Sequence, residues 1–215
     1  MSDLWPLFDL RVITPRLELR YIDDEMGHAL ARLATRGIHD PEFMPFSIPW
    51  TDKESPDLER GALQFYWKCR AETSPEQWNI LFAVLVEGTV VGTTSLGADN
   101  YQSLRQFETG SWLGREFQGR GYGKEMRVAT LQFGFCGLDA HWATTGAFED
   151  NAPSLAVTRS LGYSLAGRRR TLSRESVRTL EGYEMPRDHF VNRVQRDDIT
   201  LVGVDGCREL LGLSG

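Results

Sequence analysis

The segment Gln118-Gly119-Arg120-Gly121-Tyr122-Gly123-Lys124 sets three glycines at alternate positions, between a strand-like stretch and a helix-like one. Glycines there let the backbone turn tightly and bring amide N–H groups close to a ligand with no Cβ in the way. The unpaired amides and positive dipole end of the helix that follows favour a phosphate. Arg120 and Lys124 add cations. Two familiar phosphate turns do not fit. A dinucleotide turn needs G-x-G-x-x-G, and the glycines here run G-x-G-x-G. A Walker turn needs G-x-x-x-x-G-K-[ST], but Glu125 follows Gly123-Lys124 and Gln118 stands where the first glycine belongs.

The flanks of the turn constrain the fold further. Val12 to Arg20 reads as an opening strand, with Leu17 and Leu19 alternating against Glu18 and Arg20. Asp23-Asp24 caps a helix ending near Gly37, and Ser55-Pro56-Asp57 starts a second. Between them lies a proline-punctuated aromatic loop, 40–50, which reads as core packing or as a wall of an acceptor pocket. Asn79–Val86 is a strongly apolar strand, Glu87-Gly88 a hairpin turn, and 90–96 and 106–114 two further strands, which together predict an antiparallel meander. The helix at about 121–136 is apolar on more than one face and so predicts burial. A strand at 142–147, a helix at 152–161 capped by Asn151 and stopped by Gly162, and a hairpin over 163–185 complete the pattern. Strands on both sides of a buried helix predict a mixed α/β sheet. The tail after Pro186 holds one strand-like run, 199–204, open to three readings: an edge strand, a dimer contact of a homo-oligomer, or a loosely held end.

Composition excludes several classes. Hydrophobic residues make up 41% and charged residues 25% of the 215, ordinary for a globular chain with a real core. No apolar run approaches the ~18–20 residues of a membrane span, and the N-terminus lacks the basic start and apolar stretch of a leader, so the expected location is cytoplasmic. The three cysteines and four histidines are scattered without metal-ligand spacing, which predicts neither a disulfide framework nor a structural metal. A net charge of −6 argues against nucleic acid as a partner.

What remains resembles the Q/R-x-x-G-x-G/A signature of the GCN5-related N-acetyltransferases (GNAT), carried by Gln118, Gly121 and Gly123. Thr14-Pro15-Arg16-Leu17-Glu18-Leu19-Arg20 looks like the opening strand of the ribosomal-protein (RimJ/RimL-type) group. Gly110-Ser111-Trp112-Leu113-Gly114 resembles its fourth strand, Asn151-Ala152-Pro153-Ser154 its N-x-x-S helix start, and Leu161-Gly162-Tyr163 its helix exit. These matches follow family order over about 12–187. The whole chain also resembles an actinobacterial branch with members associated with succinyl-CoA. The resemblance implies a GNAT domain over 1–187, with 188–215 as a C-terminal extension.

The resemblance further implies an acyl-CoA-dependent N-acyltransferase, using acetyl-CoA or succinyl-CoA and no metal. Trp112, Leu113 and Gly114 are then expected to face the pantetheine arm, between a fourth and a fifth strand that splay apart. The amides of Gln118, Gly119, Arg120, Gly121, Tyr122, Gly123 and Lys124 are expected at the pyrophosphate. Asn151 and Ser154 are candidate CoA contacts, and Ser154 is also the candidate acid for the departing thiolate, since the helix 152–161 lacks the tyrosine many members use. Glu108 is the candidate base, because an ammonium cannot attack a thioester. The acceptor is an amine: a protein N-terminus, a lysine, or a small molecule such as an aminoglycoside. A non-catalytic CoA sensor or scaffold stands as the alternative. The basic run Arg168-Arg169-Arg170 is a candidate for meeting a succinyl carboxylate.

Overall fold

The computed structural model describes residues 4–213. Met1, Ser2 and Asp3, read above as part of a start without leader features, lie outside it, as do the last two residues of the extension.

After a short 3-10 turn at Pro6–Asp9, the chain forms β1 (Arg11–Ile13) and β2 (Glu18–Tyr21). The single opening strand expected from sequence is therefore a hairpin. Thr14 closes its corner, donating its amide to Leu17 O at 2.9 Å and accepting the Leu17 amide on Oγ1 at 2.9 Å. α1 (Asp24–Thr35) follows, with Asp23 Oδ1 accepting the Met26 amide at 2.8 Å, an N-cap that satisfies one of the unpaired donors of the first turn. α2 (Asp57–Ala71) comes next, then β3 (Gln77–Val86), β4 (Thr89–Asp99), a one-turn helix α3 (Tyr101–Leu104) and β5 (Gln106–Leu113). β3, β4 and β5 are the expected meander. α4 (Tyr122–Gln132) runs into a π-helical turn at Phe133–Gly137, which ends the α-helix earlier than the apolar stripes implied. β6 (Trp142–Phe148), α5 (Ala152–Ser160), β7 (Ser164–Ser173) and β8 (Ser176–Pro186) follow in the expected order. The remainder forms α6 (Arg187–Arg193), β9 (Thr200–Val202) and α7 (Val204–Leu210).

Among the described residues nine strands form one sheet in the order β7-β8-β6-β5-β4-β3-β2-β1-β9. Its neighbours are antiparallel except β5 and β6, which run parallel because α4 carries the chain back across the sheet between them. β3 sits near the middle and is covered on both faces, which is why its sequence is nearly continuous in apolar residues. Ile80, Phe82 and Val84 join one cluster with Phe107, Met126, Ala129 and Phe133 under α4. Leu81, Ala83 and Leu85 join Leu30, Ala62 and Tyr66 under α1 and α2.

The tail is built into this core. β9 pairs with β1 as an edge strand, Val12 facing Leu201. Cys207 and Leu211 are fully buried, and Phe190 of α6 stacks on Phe135 at 4.8 Å between ring centroids. Among the described residues no helix is long and apolar enough to cross a membrane.

Candidate functional site

β5 and β6 pair only from Gln106↔Trp142 to Thr109↔Thr145. Beyond that pair β5 stays bonded to β4 and β6 to β8, so a wedge opens between them. Gly114 donates its amide to Val91 O on the β4 side, and Gly110 O accepts from Thr94 Oγ1 on that same side. Alternation along the strand therefore turns the amides of Ser111 and Leu113 into the wedge. The side chains above them are committed elsewhere. Trp112 packs on Trp50 beside α1 and α2, and Leu113 is buried in the main core. Of the three residues expected at the pantetheine, only Leu113 turns its amide into the wedge, joined there by Ser111; the backbone amides of Trp112 and Gly114 face β4.

The glycine turn follows at the open end of β5. Gly119 and Gly121 have φ of +75° and +81°, conformations that L side chains resist, so two of the three alternating glycines are required by the turn itself. Gln118 acts as a buckle: its Nε2 donates to Ile38 O at 2.6 Å and to Leu113 O at 2.9 Å. Its own amide closes a 3-10 turn on Arg115 O. The next six amides, from Gly119 to Lys124, have no acceptor among the described residues, and the first helical bond of α4 is Glu125 N to Gly121 O. The expected row of seven amides thus becomes six, because Gln118 is already satisfied.

Arg16 and Glu125, which sequence reasoning gave no role in the site, fix this turn in space. Glu125 is 6% exposed. It accepts from Thr14 Oγ1 at 2.6 Å, from the Arg16 amide at 3.2 Å and from Arg16 Nε at 2.6 Å. Arg16 also donates to Arg120 O at 3.1 Å and lies over the Tyr122 ring. Burial pushes the Glu125 carboxyl up, but the hydrogen bonds from Thr14 and Arg16 outweigh it and hold the group below the usual carboxylate range. The Thr-Pro-Arg triplet was visible in the sequence; its partner 109 residues away was not.

An open cleft of about 640 Å³ adjoins the turn. Gly121 and Lys124 form one wall, Arg16 and Arg159 flank it, and Arg193 and Arg196 arrive from the C-terminal segment. Five cationic side chains thus converge on a protein whose net charge is −6. Arg16, Arg159 and Arg196 share their charge with Glu125, Glu181 and Asp198, whereas Lys124 and Arg193 have no ion pair among the described residues. Gln132 holds Arg196 in place through both amide atoms, Nε2 to Arg196 O and Oε1 from its amide. The histidine of α6, His189, bonds Leu161 O at the exit of α5. Gly162, with φ +80°, leaves no room for a Cβ beneath that ring.

Asn151 caps α5, its Oδ1 accepting the Ser154 amide at 3.3 Å. Ser154 is half-buried, and its hydroxyl makes no hydrogen bond among the described residues. Glu108 is exposed on β5 and alternates away from Phe107 and Thr109, so it projects on the α1/α2 side while α5 packs on the α4 side. The structure thus places Glu108 and Ser154 on opposite sides of the sheet, flanking the wedge. Arg168 is tied to Glu181 at 2.8 Å, and Arg169 and Arg170 are exposed on β7; none of the three is among the residues that line the cleft.

Comparison with known proteins gives a concordant picture. The family described as "Acetyltransferase (GNAT) domain" matches residues 16–164. Among solved structures, Mycobacterium smegmatis RimJ in complex with CoA-disulfide is similar at 19% identity and TM-score 0.68, over 86% of this chain and 92% of that one. RimL, described as a ribosomal L7/L12 alpha-N-protein acetyltransferase in complex with coenzyme A, is 17% identical with TM-score 0.64, over 81% and 96%. A GCN5-related N-acetyltransferase from Brucella melitensis is 17% identical with TM-score 0.67, over 84% and 80%.

Proposed function

Because the chain belongs to the GNAT acetyltransferase family, we propose that it moves an acetyl group from acetyl-CoA to a protein amine by direct attack on the thioester. The observation that carries this reading is the run of six unpaired amides from Gly119 to Lys124, opening on a cationic cleft on one side and a strand wedge on the other. Donors and cations in that arrangement suit a pyrophosphate with a charged nucleotide tail. The residues present therefore fit coenzyme A: the tail in the cleft, the pyrophosphate on the turn, and the pantetheine along the backbone of Ser111 to Leu113.

Each candidate then has a role. The amides of Ser111 and Leu113 are aimed where a thioester carbonyl would develop charge, and losing one such donor typically costs about 10²–10³ in rate. Asn151 orders the first turn of α5, which brings the Ser154 hydroxyl toward the departing sulfur. Glu108 takes the proton of the attacking amine directly or through one water. An α-amine with an ordinary pKa of about 7.7–8.0 needs less help than a lysine at about 10.4, which suits an exposed carboxylate base. The folds of RimJ and RimL, the latter described as acting on a protein α-amine, point the same way. An acetyl donor is preferred to succinyl because the one arginine of the 168–170 run with a fixed position, Arg168, is already neutralised by Glu181. We read 1–187 as the acyltransferase domain and 188–215 as an extension that completes its nucleotide cleft.

The test is incubation with acetyl-CoA and succinyl-CoA against libraries of peptides and small amines, read by product mass and thiol release. Acetylated peptides with stoichiometric thiol release are expected. Saturable CoA binding without thiol release across the whole library would make the protein a CoA sensor instead.

A further inference from the structure

Three charged side chains are buried among the described residues: Glu125, Glu181 and Arg127. The two carboxylates are paired with arginines. Arg127, 5% exposed on α4, has no ion pair among the described residues. One terminal nitrogen donates to Thr145 Oγ1 on β6 at 3.1 Å and the other to Ser111 Oγ on β5 at 3.4 Å. The guanidinium therefore spans the two strands at the level where their ladder stops, at Thr109↔Thr145. Its Nε has no hydrogen-bond partner, and neither has the buried hydroxyl of Tyr163. Keeping a permanent charge out of water without a counter-ion is costly. The anion that would offset this cost is missing from the fold, and the wedge is where the reacting thioester lies on the reading above.

We propose that Arg127 is a catalytic residue whose guanidinium receives the negative charge that builds on the thioester sulfur as the acyl group leaves. This rests on the proposed entry of the pantetheine between β5 and β6. The amine nitrogen forms its bond to the carbonyl carbon and gives its proton to the base. The C–S bond breaks and its electron pair passes to sulfur. Arg127 keeps its own protons and holds the thiolate by charge and hydrogen bonding, and the sulfur takes a proton from water on release. A serine hydroxyl is a weak acid, so beside a guanidinium Ser154 need only hydrogen-bond the sulfur. An ion pair at this point supplies what a tyrosine on α5 would otherwise provide.

The contrary reading is a strut that replaces the missing ladder bonds with a side chain, and two substitutions separate charge from strut. Arg127→Gln keeps hydrogen bonding toward Thr145 and Ser111 but removes the charge; Arg127→Lys keeps the charge but loses the fork. The readout is the ionisation of the CoA thiol in the binary complex, followed by ultraviolet thiolate absorbance against the free protein. The protein's own thiols interfere little, since burial pushes Cys69 up to about 11 and Cys207 to about 12 and also raises Cys136.

The wild-type complex is expected to ionise its thiol at least about one pH unit below free CoA titrated under the same conditions. Arg127→Gln should restore the free value and lower kcat about 100-fold, the scale of losing one aimed donor, with CoA affinity within about threefold. Arg127→Lys should retain much of the shift. Wild-type thiol ionisation and kcat in Arg127→Gln, with a lowered melting temperature in Arg127→Lys, would leave only a strut and overturn the proposal. A loss confined to succinyl-CoA with unchanged thiol ionisation would also overturn it, in favour of a carboxylate receptor. A variant too unstable to assay passes the test to the other, whose thiol ionisation decides by the same criterion. Wild-type protein that binds no CoA would overturn the site reading itself and this inference with it.

Discussion

Glu125 lies in the first turn of α4 with little access to water, accepting from Thr14 and from the backbone and side chain of Arg16. Because its carboxyl is held below the usual range in the folded protein, its contribution is complete above the unfolded value of about 4.3 and disappears as pH falls through the lower folded value. Glu125→Gln should therefore lower stability by about 2 kcal/mol at neutral pH, the scale of a charged hydrogen bond. It should also flatten the loss of stability below about pH 4.3, measured by urea unfolding across pH. A full buried-pair penalty is not expected, since half of the Arg16 side chain remains in water. Ser154→Ala belongs to the same scale. It should lower kcat about tenfold or more with little change in CoA affinity if the hydroxyl serves the sulfur, whereas equal losses in both would make it a mere contact. The role of Glu125 is hidden in the sequence because it sits immediately after Lys124, where a carboxylate looks like an ordinary first-turn residue. Its acceptor role depends on a contact 111 residues away along the chain, to Thr14, which no local pattern encodes.

The turn and α4 act together as one element, and the three glycines in it are not equivalent. Gly119 and Gly121 carry positive φ, so a side chain at either would test strain as much as binding. Gly123 does not, and a Cβ there meets nothing nearer than Leu113 Cδ1 at 3.9 Å. Gly123→Glu should thus fold normally, with a carboxylate at a helix N-terminus favourable by about 0.3–1 kcal/mol. The same carboxylate should weaken CoA binding at least about tenfold by competing for the unpaired amides. A rise in melting temperature together with a fall in affinity, seen by thermal scanning and calorimetry, is the expected signature. Most elements were legible because their periods are clean: the apolar run of β3, the Glu87-Gly88 turn, and the Asn151 and Gly162 boundaries of α5. The opening hairpin looks like one strand in the sequence because its corner, Thr14 to Leu17, keeps alternating apolar and polar residues through the turn. α6 and α7 leave no mark in the sequence for another reason. Each is seven residues long, and their burial is set by docking on Phe135 and the core rather than by a repeating stripe.

At the scale of the whole molecule, charge is distributed unevenly. A chain of net charge −6 gathers five cations at one cleft, so CoA affinity should fall as salt rises, although the protein as a whole would repel an anion. Arg193→Ala should cost about two- to fivefold in affinity, as befits an exposed cation, and should reduce the salt dependence measured by titration calorimetry. The same segment is needed by the core. Phe190→Ala should cost about 3–5 kcal/mol because the ring is fully buried on Phe135. The glycine turn announced an anion site from sequence alone, but the second half of the cleft did not, since it is assembled by residues outside the family match of 16–164.

Arg16 bonds the turn at Arg120 O and Glu125 while forming part of the corner between β1 and β2. These contacts tie the N-terminal corner to the glycine turn. An occupant that quiets the turn should slow amide hydrogen exchange at Thr14 and Leu17 as well, so that the backbone of one end of the chain reports on a guest held at the other side of the Arg16 side chain.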